Sequence, residues 1–451
     1  MRFLPQGPGE LREMLAAVGA GTPADLFRSI PEPLRLRRPL DLPPAQSELE
    51  LRRSMGEMAA ANASAATHPC FLGAGAYNHY IPSAVWQLLL RSELYTSYTP
   101  YQPEISQGTL QATFEYQSMI AALTEMDLSN ASLYDGASAA AEAALMALRA
   151  GKGRVLVLSE GVHPHYVQVV RAYVKHLGAE VRTVPVAPSG TTDPRSLADA
   201  AGAPGTTALI ALQSPNFFGC VEDLAAASAV SRAAGALLAG LVTDPIALGL
   251  LHGPGRHGAD LAAGEAHALG VPLQFGGPYL GFLAARESLV RQMPGRLVGE
   301  ARDAQGRRGY VLTLSTREQH IRREKATSNI CTNQGLMAMA AAVYMSLMGR
   351  EGMREAASQC RSKALWAAER LSAIPGCRRR FGAPIFHEFV LDLPGDAGEV
   401  SAALLRRGII GGLPLGRHFP AMASSMLFCV TEMNTRHEIE ALAAALAEAV
   451  R

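Results

Sequence analysis

The sequence predicts an α/β protein with a large, mainly parallel sheet and a smaller α+β domain at the C-terminal end. Short apolar runs alternate with helical stretches between residues 138 and 241, a pattern typical of parallel strands covered by helices on both faces. The 451 residues are also too many for one ordinary core. We expect an N-terminal helical, proline-rich arm at 1–60, a large domain at 61–325 and a small domain at 326–451.

The arm has little hydrophobic sequence of its own. Residues 11–18 predict a helix that ends at Gly19. Several prolines then keep the chain extended. We expect the arm to pack over another domain or another subunit.

The large domain begins with a helix marked by Met119, Ala122, Leu123 and Met126, which share one helical face. An alanine-rich helix follows at residues 138–149. Strand-like runs cover residues 155–158, 181–184, 209–212 and 237–241, and the helices between them cover 166–177 and 224–234. After residue 325 the pattern predicts two long helices and then strand, helix, strand, helix, at residues 336–347, 353–371, 386–391, 400–407, 426–430 and 438–450.

Composition excludes several classes of function. Hydrophobic residues make up 48%, charged residues 18%, and the formal net charge is +1. This balance fits a folded soluble protein without general attraction to nucleic acid or to an anionic membrane. The six cysteines form no C-x-x-C pair, so we expect no metal cluster and no disulfide framework. The N-terminus has no apolar signal segment, and we expect a cytoplasmic location.

The most informative segment is residues 94–108, a loop stiffened by two prolines that contains Tyr95, Tyr98, Tyr101 and Glu104. An exposed loop has no physical need for three aromatic side chains, and proline reduces the entropy lost when a loop is held in one shape. The loop suits the presentation of hydroxyls and one carboxylate to a ligand. A packed loop whose tyrosines fill core is an equal alternative.

Two glycine-containing segments are candidates for phosphate binding. Gly73 and Gly75 lie in one, but no strand precedes them, so a turn is the favoured interpretation. Residues 136–138 open the alanine-rich helix, where free N–H groups favour an anion. Ser138 as a simple N-cap is the favoured alternative there.

Two further groups follow predicted strands, at the edge where open α/β sheets bind ligands. The first is His163 and His165, although no carboxylate or cysteine cluster joins them as a metal site. Asp244 follows the run 237–241 and is either a functional carboxylate or a turn-forming one. Residues 316–334 are dense in polar groups and are either phosphate donors or an ordinary domain crossing.

Together, three separated stretches resemble the P-protein family of the glycine cleavage system: residues 98–104, residues 129–136 with their alanine helix, and residues 316–334. The proline-rich arm around residues 34–42 resembles it as well. The similarity is closer to subunit 1, the alpha half in bacteria that divide the protein into two chains. It implies the aminotransferase-like fold type I of pyridoxal-phosphate (PLP) dependent transferases and an active site at a subunit interface.

In that fold the Schiff-base lysine lies one strand–turn–strand beyond the aspartate that pairs with the pyridine nitrogen. If Asp244 is that aspartate, the lysine is expected near residues 273–278. The chain has no lysine between Lys175 and Lys325. Because only a primary amine forms and exchanges the imine, we expect PLP to be bound covalently by a homologous beta subunit and not by this chain.

The resemblance implies the alpha subunit of glycine dehydrogenase (decarboxylating), an oxidoreductase active only with subunit 2 in an α2β2 assembly. The complex decarboxylates glycine on PLP and transfers the aminomethyl group to the lipoyl arm of the H-protein. Residues expected to line the partner's pocket are Tyr95, Tyr98, Tyr101, Glu104 and Gln107. Residues expected near the partner's cofactor phosphate are Thr327, Ser328 and Asn329, and the second-rank candidates are Asn78, His79 and Arg317.

Two alternatives remain open at this stage. The chain could be a self-sufficient PLP-dependent lyase or aminotransferase that uses Lys325 for the imine. It could also be a non-catalytic structural or regulatory subunit whose loop never contacts substrate. Covalent trapping of cofactor separates the first from our prediction, and loop substitutions in the intact complex separate the second.

Overall fold

The computed structural model describes residues 6–451. The chain divides into two units, of which the first ends at Asn62 and the second is Ala63–Arg451. The first unit contains helices α1 (Pro8–Ala17) and α2 (Glu48–Ala60), with short 3-10 turns at Pro23–Phe27 and Glu32–Leu34 between them. Both helices begin as their sequence dictates: Pro8 opens α1, and Ser47 and Glu50 cap α2 reciprocally.

The second unit contains the other helices and every strand of the described chain. The helices are α3 (Ser83–Leu89), α4 (Ser92–Tyr95), α5 (Gln107–Thr124), α6 (Gly136–Ala150), α7 (Pro164–Val174), α8 (Pro194–Ala201), α9 (Leu224–Ala234), α10 (Gln319–Arg322), α11 (Gly335–Ser372), α12 (Ala397–Arg406) and α13 (Arg436–Ala449). The strands are β1 (Leu128–Ser129), β2 (Val155–Ser159), β3 (Glu180–Val184), β4 (Thr207–Gln213), β5 (Leu237–Val242), β6 (Leu261–Glu265), β7 (Gly281–Ala285), β8 (Leu297–Arg302), β9 (Arg308–Thr313), β10 (Arg378–Arg379), β11 (Glu388–Asp392), β12 (Leu413–Pro414) and β13 (Ser425–Cys429).

The large sheet has seven strands in the order β1-β7-β6-β5-β4-β2-β3. Strands β2 to β6 are parallel to one another, whereas β7 runs antiparallel to β6 and to β1. Every residue of β2, β4 and β6 is buried, because helices cover both faces. The predicted α/β class with a mainly parallel sheet is confirmed.

Helix α6 packs on this sheet, chiefly against β6 and β7. Its alanines, among them Ala139, Ala141 and Ala143, are fully buried and share one core with leucines of the sheet. Small side chains let a helix approach a sheet closely. The alanine-rich sequence therefore determines how close the start of α6 lies to the sheet. That beginning, at Gly136, lies against the amide of Glu265 at the carboxyl end of β6.

The C-terminal part forms a second sheet in the order β10-β11-β13-β12. Helix α11 leads into it and is interrupted at Gly349, whose φ is 55°, so the two helices expected around residue 350 meet at a kink. This sheet and its helices have a core of their own around Phe389, Phe428 and Leu442. The predicted domain boundary at residue 325 stays a prediction.

The sequence did not reveal β6, β7 or the hairpin formed by β8 and β9. The first two are rich in glycine and alanine, which have weak strand propensity, and they become strands because they sit in the middle of a sheet. Within residues 6–451, no helix is both long enough and apolar enough to cross a bilayer.

Candidate functional site

The tyrosine loop, residues 94–108, connects α4 to α5 and exposes its large side chains. Tyr95 is 54% exposed, Tyr98 87% and Tyr101 56%, and Ile105 beside them is 80% exposed. Glu104 also faces solvent. Aromatic residues gathered at one exposed segment are typical of a surface that another molecule covers.

Gln107 fixes the end of this loop. Its side-chain amide donates to the carbonyl oxygens of Pro103 (2.8 Å) and Tyr310 (2.9 Å), and its Oε1 accepts from the Tyr310 amide at 2.9 Å. These bonds tie the loop to strand β9. Gln107 therefore acts within this chain by positioning the loop.

Arg296 supports the loop from below and was missed by sequence reasoning. It is only 4% exposed. Its Nη2 donates to the hydroxyl of Tyr101 at 3.2 Å and to the carbonyl of Cys331 at 2.8 Å, and Nη1 donates to Oδ1 of Asn333 at 3.0 Å. The guanidinium also lies 5.4 Å from the centre of the Tyr101 ring. No sequence motif surrounds Arg296, so only the fold could identify it.

The charge of Arg296 lacks a counter-charge within residues 6–451. None of the ion pairs in this part of the chain includes it, and its buried Nε has no hydrogen-bond acceptor. A buried cation without an anion is unfavourable by several kcal/mol at roughly this degree of burial. An anionic group placed on this surface would relieve that cost.

Arg296 lines a cavity of about 140 Å³ with two of the segments singled out from sequence. Ser97, Tyr98 and Thr99 of the tyrosine loop form one side. Thr332 and Asn333, at the end of the polar stretch 316–334, form another. The structure thus brings together two distant motifs around a single buried cation.

The other predicted phosphate donors lie differently. Thr327 and Ser328 line a cavity of only about 10 Å³ with Arg317, and the exposed Asn329 accepts from the Gln319 side chain at 3.1 Å. Arg317 is buried and donates to the carbonyls of Leu314, Met293 and Gly295. The predicted roles of these residues are untested. Their contacts within the chain favour a structural role, in which they hold residues 316–334 in place.

Asn78 and His79 belong to a buried network. The Asn78 carbonyl accepts from the Thr431 hydroxyl at 2.6 Å. His79 bridges two carboxylates, with Nδ1 2.8 Å from Glu432 and Nε2 3.2 Å from Asp244. These carboxylates outweigh the effect of burial and raise the pKa of His79. Both ring nitrogens of His79 contact carboxylates of this chain. The tyrosine loop is therefore the better candidate for contacts with a partner.

Asp244 lies just beyond the carboxyl end of β5 and is 1% exposed. His387 Nε2 approaches Oδ2 of this carboxylate at 3.0 Å, the same oxygen that His79 contacts. Burial alone would raise the pKa of Asp244, but the two histidines hold it below the ordinary range. Ligand atoms of these three residues lie within 4.8 Å of one another, close enough to hold a metal ion, but the ion pairs already account for their positions.

The cleft is a second concave region, a cavity of about 470 Å³ above the carboxyl ends of the central strands. It unites several segments noted in the sequence: the glycine turn at residues 73–75, the start of α6, and His163 and His165. Glu265, at the end of β6, and Arg417 and His418, from the C-terminal part, complete it. Its location is where open α/β sheets place their ligands.

Comparisons with known proteins decide the family. The model of the glycine cleavage system P-protein family matches residues 1–446. The chain belongs to the glycine cleavage system P-protein family. A protein named probable glycine dehydrogenase (decarboxylating) subunit 1, from Moorella thermoacetica, is 51% identical over 446 residues and covers 99% of both chains.

Solved structures agree with the family assignment. The inhibitor-bound crystal structure of a glycine decarboxylase P-protein is 43% identical, with a TM-score of 0.89 and complete coverage of both chains. A more distant structure, of C-DES with glycine covalently linked to its PLP cofactor, is 18% identical with a TM-score of 0.62, over 88% of this chain and 99% of the other. That likeness shows the shared fold, which is the fold type I of PLP-dependent enzymes.

The cleft of this P-protein-family chain does not fit PLP. The two N–H groups at the start of α6 that a phosphate would need already carry carboxylates: Gly136 donates to Glu265 at 2.9 Å and Ser138 donates to Asp135 at 2.7 Å. A phosphate there would face two acidic groups. The Asp244 carboxylate is likewise engaged by two histidines, and no lysine lies between residues 175 and 325.

Proposed function

We propose that this chain is the alpha subunit of a two-chain glycine decarboxylase and that it completes the active site of a lysine-bearing beta subunit. One observation carries the proposal: an exposed tyrosine loop is held on a buried arginine that has no counter-charge within the described chain. Such a surface is unfavourable in an isolated chain and favourable against an anionic site.

The chemistry of the cofactor belongs to the partner in this proposal. PLP bound there would supply the electron sink for loss of the glycine carboxyl group. The chain described here lacks both the lysine and a free phosphate cradle. Its contribution is orientation, exclusion of water and proton transfer at the edge of the partner's pocket.

The tyrosine loop presents three kinds of group. The hydroxyls of Tyr95 and Tyr98 are exposed and free to hydrogen-bond to glycine. Glu104 is an exposed carboxylate that can accept or return a proton once the partner buries it. Tyr101 is less free, because Arg296 donates to its hydroxyl and thereby sets the orientation of the ring.

Arg296 is a positioning residue that also supplies a favourable field. Its guanidinium lies under the loop and lines the cavity beside Tyr98. We propose that it favours a carboxylate or phosphate oxygen at the mouth of this cavity. Thr327, Ser328 and Asn329 remain proposed contacts to the partner's cofactor phosphate, with support from the polar composition of their segment alone.

The wider assembly follows from the same proposal. Relatives named subunit 1 imply a second subunit, and we propose an α2β2 complex. That complex would transfer the aminomethyl group from glycine to the lipoyl arm of an H-protein.

The test is activity of the complex after conservative changes in the loop. Tyr98→Phe and Glu104→Gln should each lower glycine–bicarbonate exchange by about tenfold or more, because each removes one hydrogen-bonding or proton-transferring group and leaves the shape unchanged. Tyr173→Phe is the matched control, since Tyr173 lies on α7 and is 38% exposed.

Assembly must be measured alongside turnover. If the loop variants assemble normally and exchange at the unaltered rate, the catalytic role of the loop is wrong. If they fail only to assemble, the chain is a structural subunit, which is the alternative left open by the sequence.

A further inference from the structure

The cleft separates its charged groups by sign. One wall carries Asp135 and Glu265, with the hydroxyls of Tyr166 and Tyr279 beside them. Burial raises the pKa of both tyrosines most strongly, and the two acidic residues raise it further. This wall is suited to a hydrogen-bond donor with positive charge.

The opposite wall is basic. His165 and His418 stack edge to face with ring centres 5.5 Å apart, and Arg417 is the next residue along the chain. Burial lowers the pKa of His418, and its electrostatic interactions with the neighbouring His165 and Arg417 lower it further. The side-chain nitrogens of these three residues make no hydrogen bond to protein groups within residues 6–451, so they remain available to a ligand.

A neutral histidine lies between the walls. His163 has its ring centre 5.2 Å from that of Tyr166 on one side and 5.2 Å from that of His165 on the other. Its Nε2 contacts the carbonyl of Ala74 at 2.8 Å and its Nδ1 accepts from the His165 amide at 3.1 Å. Burial lowers the pKa of His163 to about 4, so it adds shape without charge.

We propose that this cleft binds a small amino acid as a zwitterion. The ammonium group faces Asp135, and the carboxylate faces Arg417 and His418. The two walls are separated by a single ring, so a short carbon chain between the charged groups spans them. The site differs from the tyrosine loop surface and needs no cofactor and no partner chain.

The two-sign arrangement excludes simpler ligands. An inorganic anion would be attracted by Arg417 but repelled by Asp135. A simple amine would be attracted by Asp135 but repelled by Arg417. A zwitterion gains a charge-assisted hydrogen bond at each end. Compounds that carry only one of the charged groups therefore provide direct controls.

The experiment is calorimetric titration of the full chain, purified without any second subunit, so that a partner's active site cannot contribute. Glycine and γ-aminobutyrate are the zwitterionic probes, and acetate and methylamine are the single-charge probes. At least one zwitterion should bind about tenfold or more tightly than either single-charge probe, because each charge-assisted bond is worth about 1.5 kcal/mol or more.

Two variants assign the binding to this cleft. Arg417→Gln removes the basic contact at an exposed residue, and Asp135→Asn removes the acidic charge while an amide oxygen still caps α6. Each should weaken binding about tenfold. Arg406→Gln, at the exposed end of α12, is the matched control and should bind as the unaltered chain does.

Absence of zwitterion binding, acetate binding equal to that of glycine, or binding that survives both variants would each overturn the proposal. None of these outcomes bears on exchange activity of the loop variants. The two proposals therefore fail separately.

Discussion

The tyrosine loop and the cleft differ in whether their charged groups are paired within this chain. Beneath the loop, a buried guanidinium has no counter-ion within the described chain, and three tyrosines are exposed above it. In the cleft, the anion-binding end of α6 has been neutralised by carboxylates of the chain itself. The guanidinium beneath the tyrosine loop has no anion to pair with unless another molecule provides one. The N–H groups at the start of α6 are already paired with carboxylates of this chain.

This difference indicates where function lies in a chain that has the fold of a cofactor enzyme. The sheet, the helix start and the aspartate after β5 keep their places. At the start of α6 and at Asp244, however, the groups that could hold a cofactor contact protein side chains. The exposed groups of the tyrosine loop lie on the surface, where they can act only on a neighbouring molecule.

The largest expected effect comes from the cation beneath the loop. Arg296→Gln should lower the turnover number of the complex about 100-fold, because it removes a preorganised charge near the reacting group. Arg296→Lys should recover part of this loss, since it restores charge without the planar fork. Exchange activity with separate kcat and KM values is the measurement, and Arg302→Gln, on exposed β8 sequence, is the control.

A loss of activity explained wholly by weaker assembly would contradict that role for Arg296. Normal kcat at saturating glycine in the assembled Arg296→Gln complex would do so as well. Sedimentation of each variant with its second subunit distinguishes these cases.

The packing at the cleft is predicted to require glycine at position 136, because no side chain fits there. A Cβ on Gly136 would lie 1.9 Å from the Tyr166 hydroxyl and 2.8 Å from the Glu265 amide. Gly136→Ala should therefore lower the free energy of unfolding by about 1–3 kcal/mol. Urea denaturation of the single chain measures this, with Gly9→Ala as the control, because nothing lies within 4 Å of a Cβ there. An equal cost for both substitutions would contradict the tight packing at the start of α6.

The sequence was most informative where its pattern is local. The alanine helix, the apolar strands and the three tyrosines could be recognised because their spacing alone carries the signal. Arg296 and Glu265 could not, because each acts through partners far away in sequence: Cys331 and Tyr101 for the first, Gly136 and Leu280 for the second. The sequence also favoured Ser138 as the N-cap residue of α6, and this was wrong: Asp135 is the cap, and the backbone N–H of Ser138 donates to its side chain.

The smallest effect concerns the pH dependence of stability. Burial raises the pKa of Glu265 to about 7 against the bonds from Leu280, Gly136 and His267 that lower it. Because the folded pKa is above the unfolded one, stability from this group is present at acidic pH and is lost as pH rises through about 7. We expect a fall of about 1 kcal/mol per pH unit between about pH 5 and about pH 6.5. Glu265→Gln should flatten that slope in urea titrations. An unchanged slope would show that another group causes the pH dependence of stability.

The most direct test of the account is to find which chain carries the cofactor. The complex and the single chain are each incubated with PLP, reduced with borohydride, digested and analysed by mass spectrometry. The account predicts a phosphopyridoxyl group on a lysine of the second subunit, none on this chain, and no glycine exchange by this chain alone. A phosphopyridoxyl group on Lys325, accompanied by exchange activity without a second subunit, would contradict it.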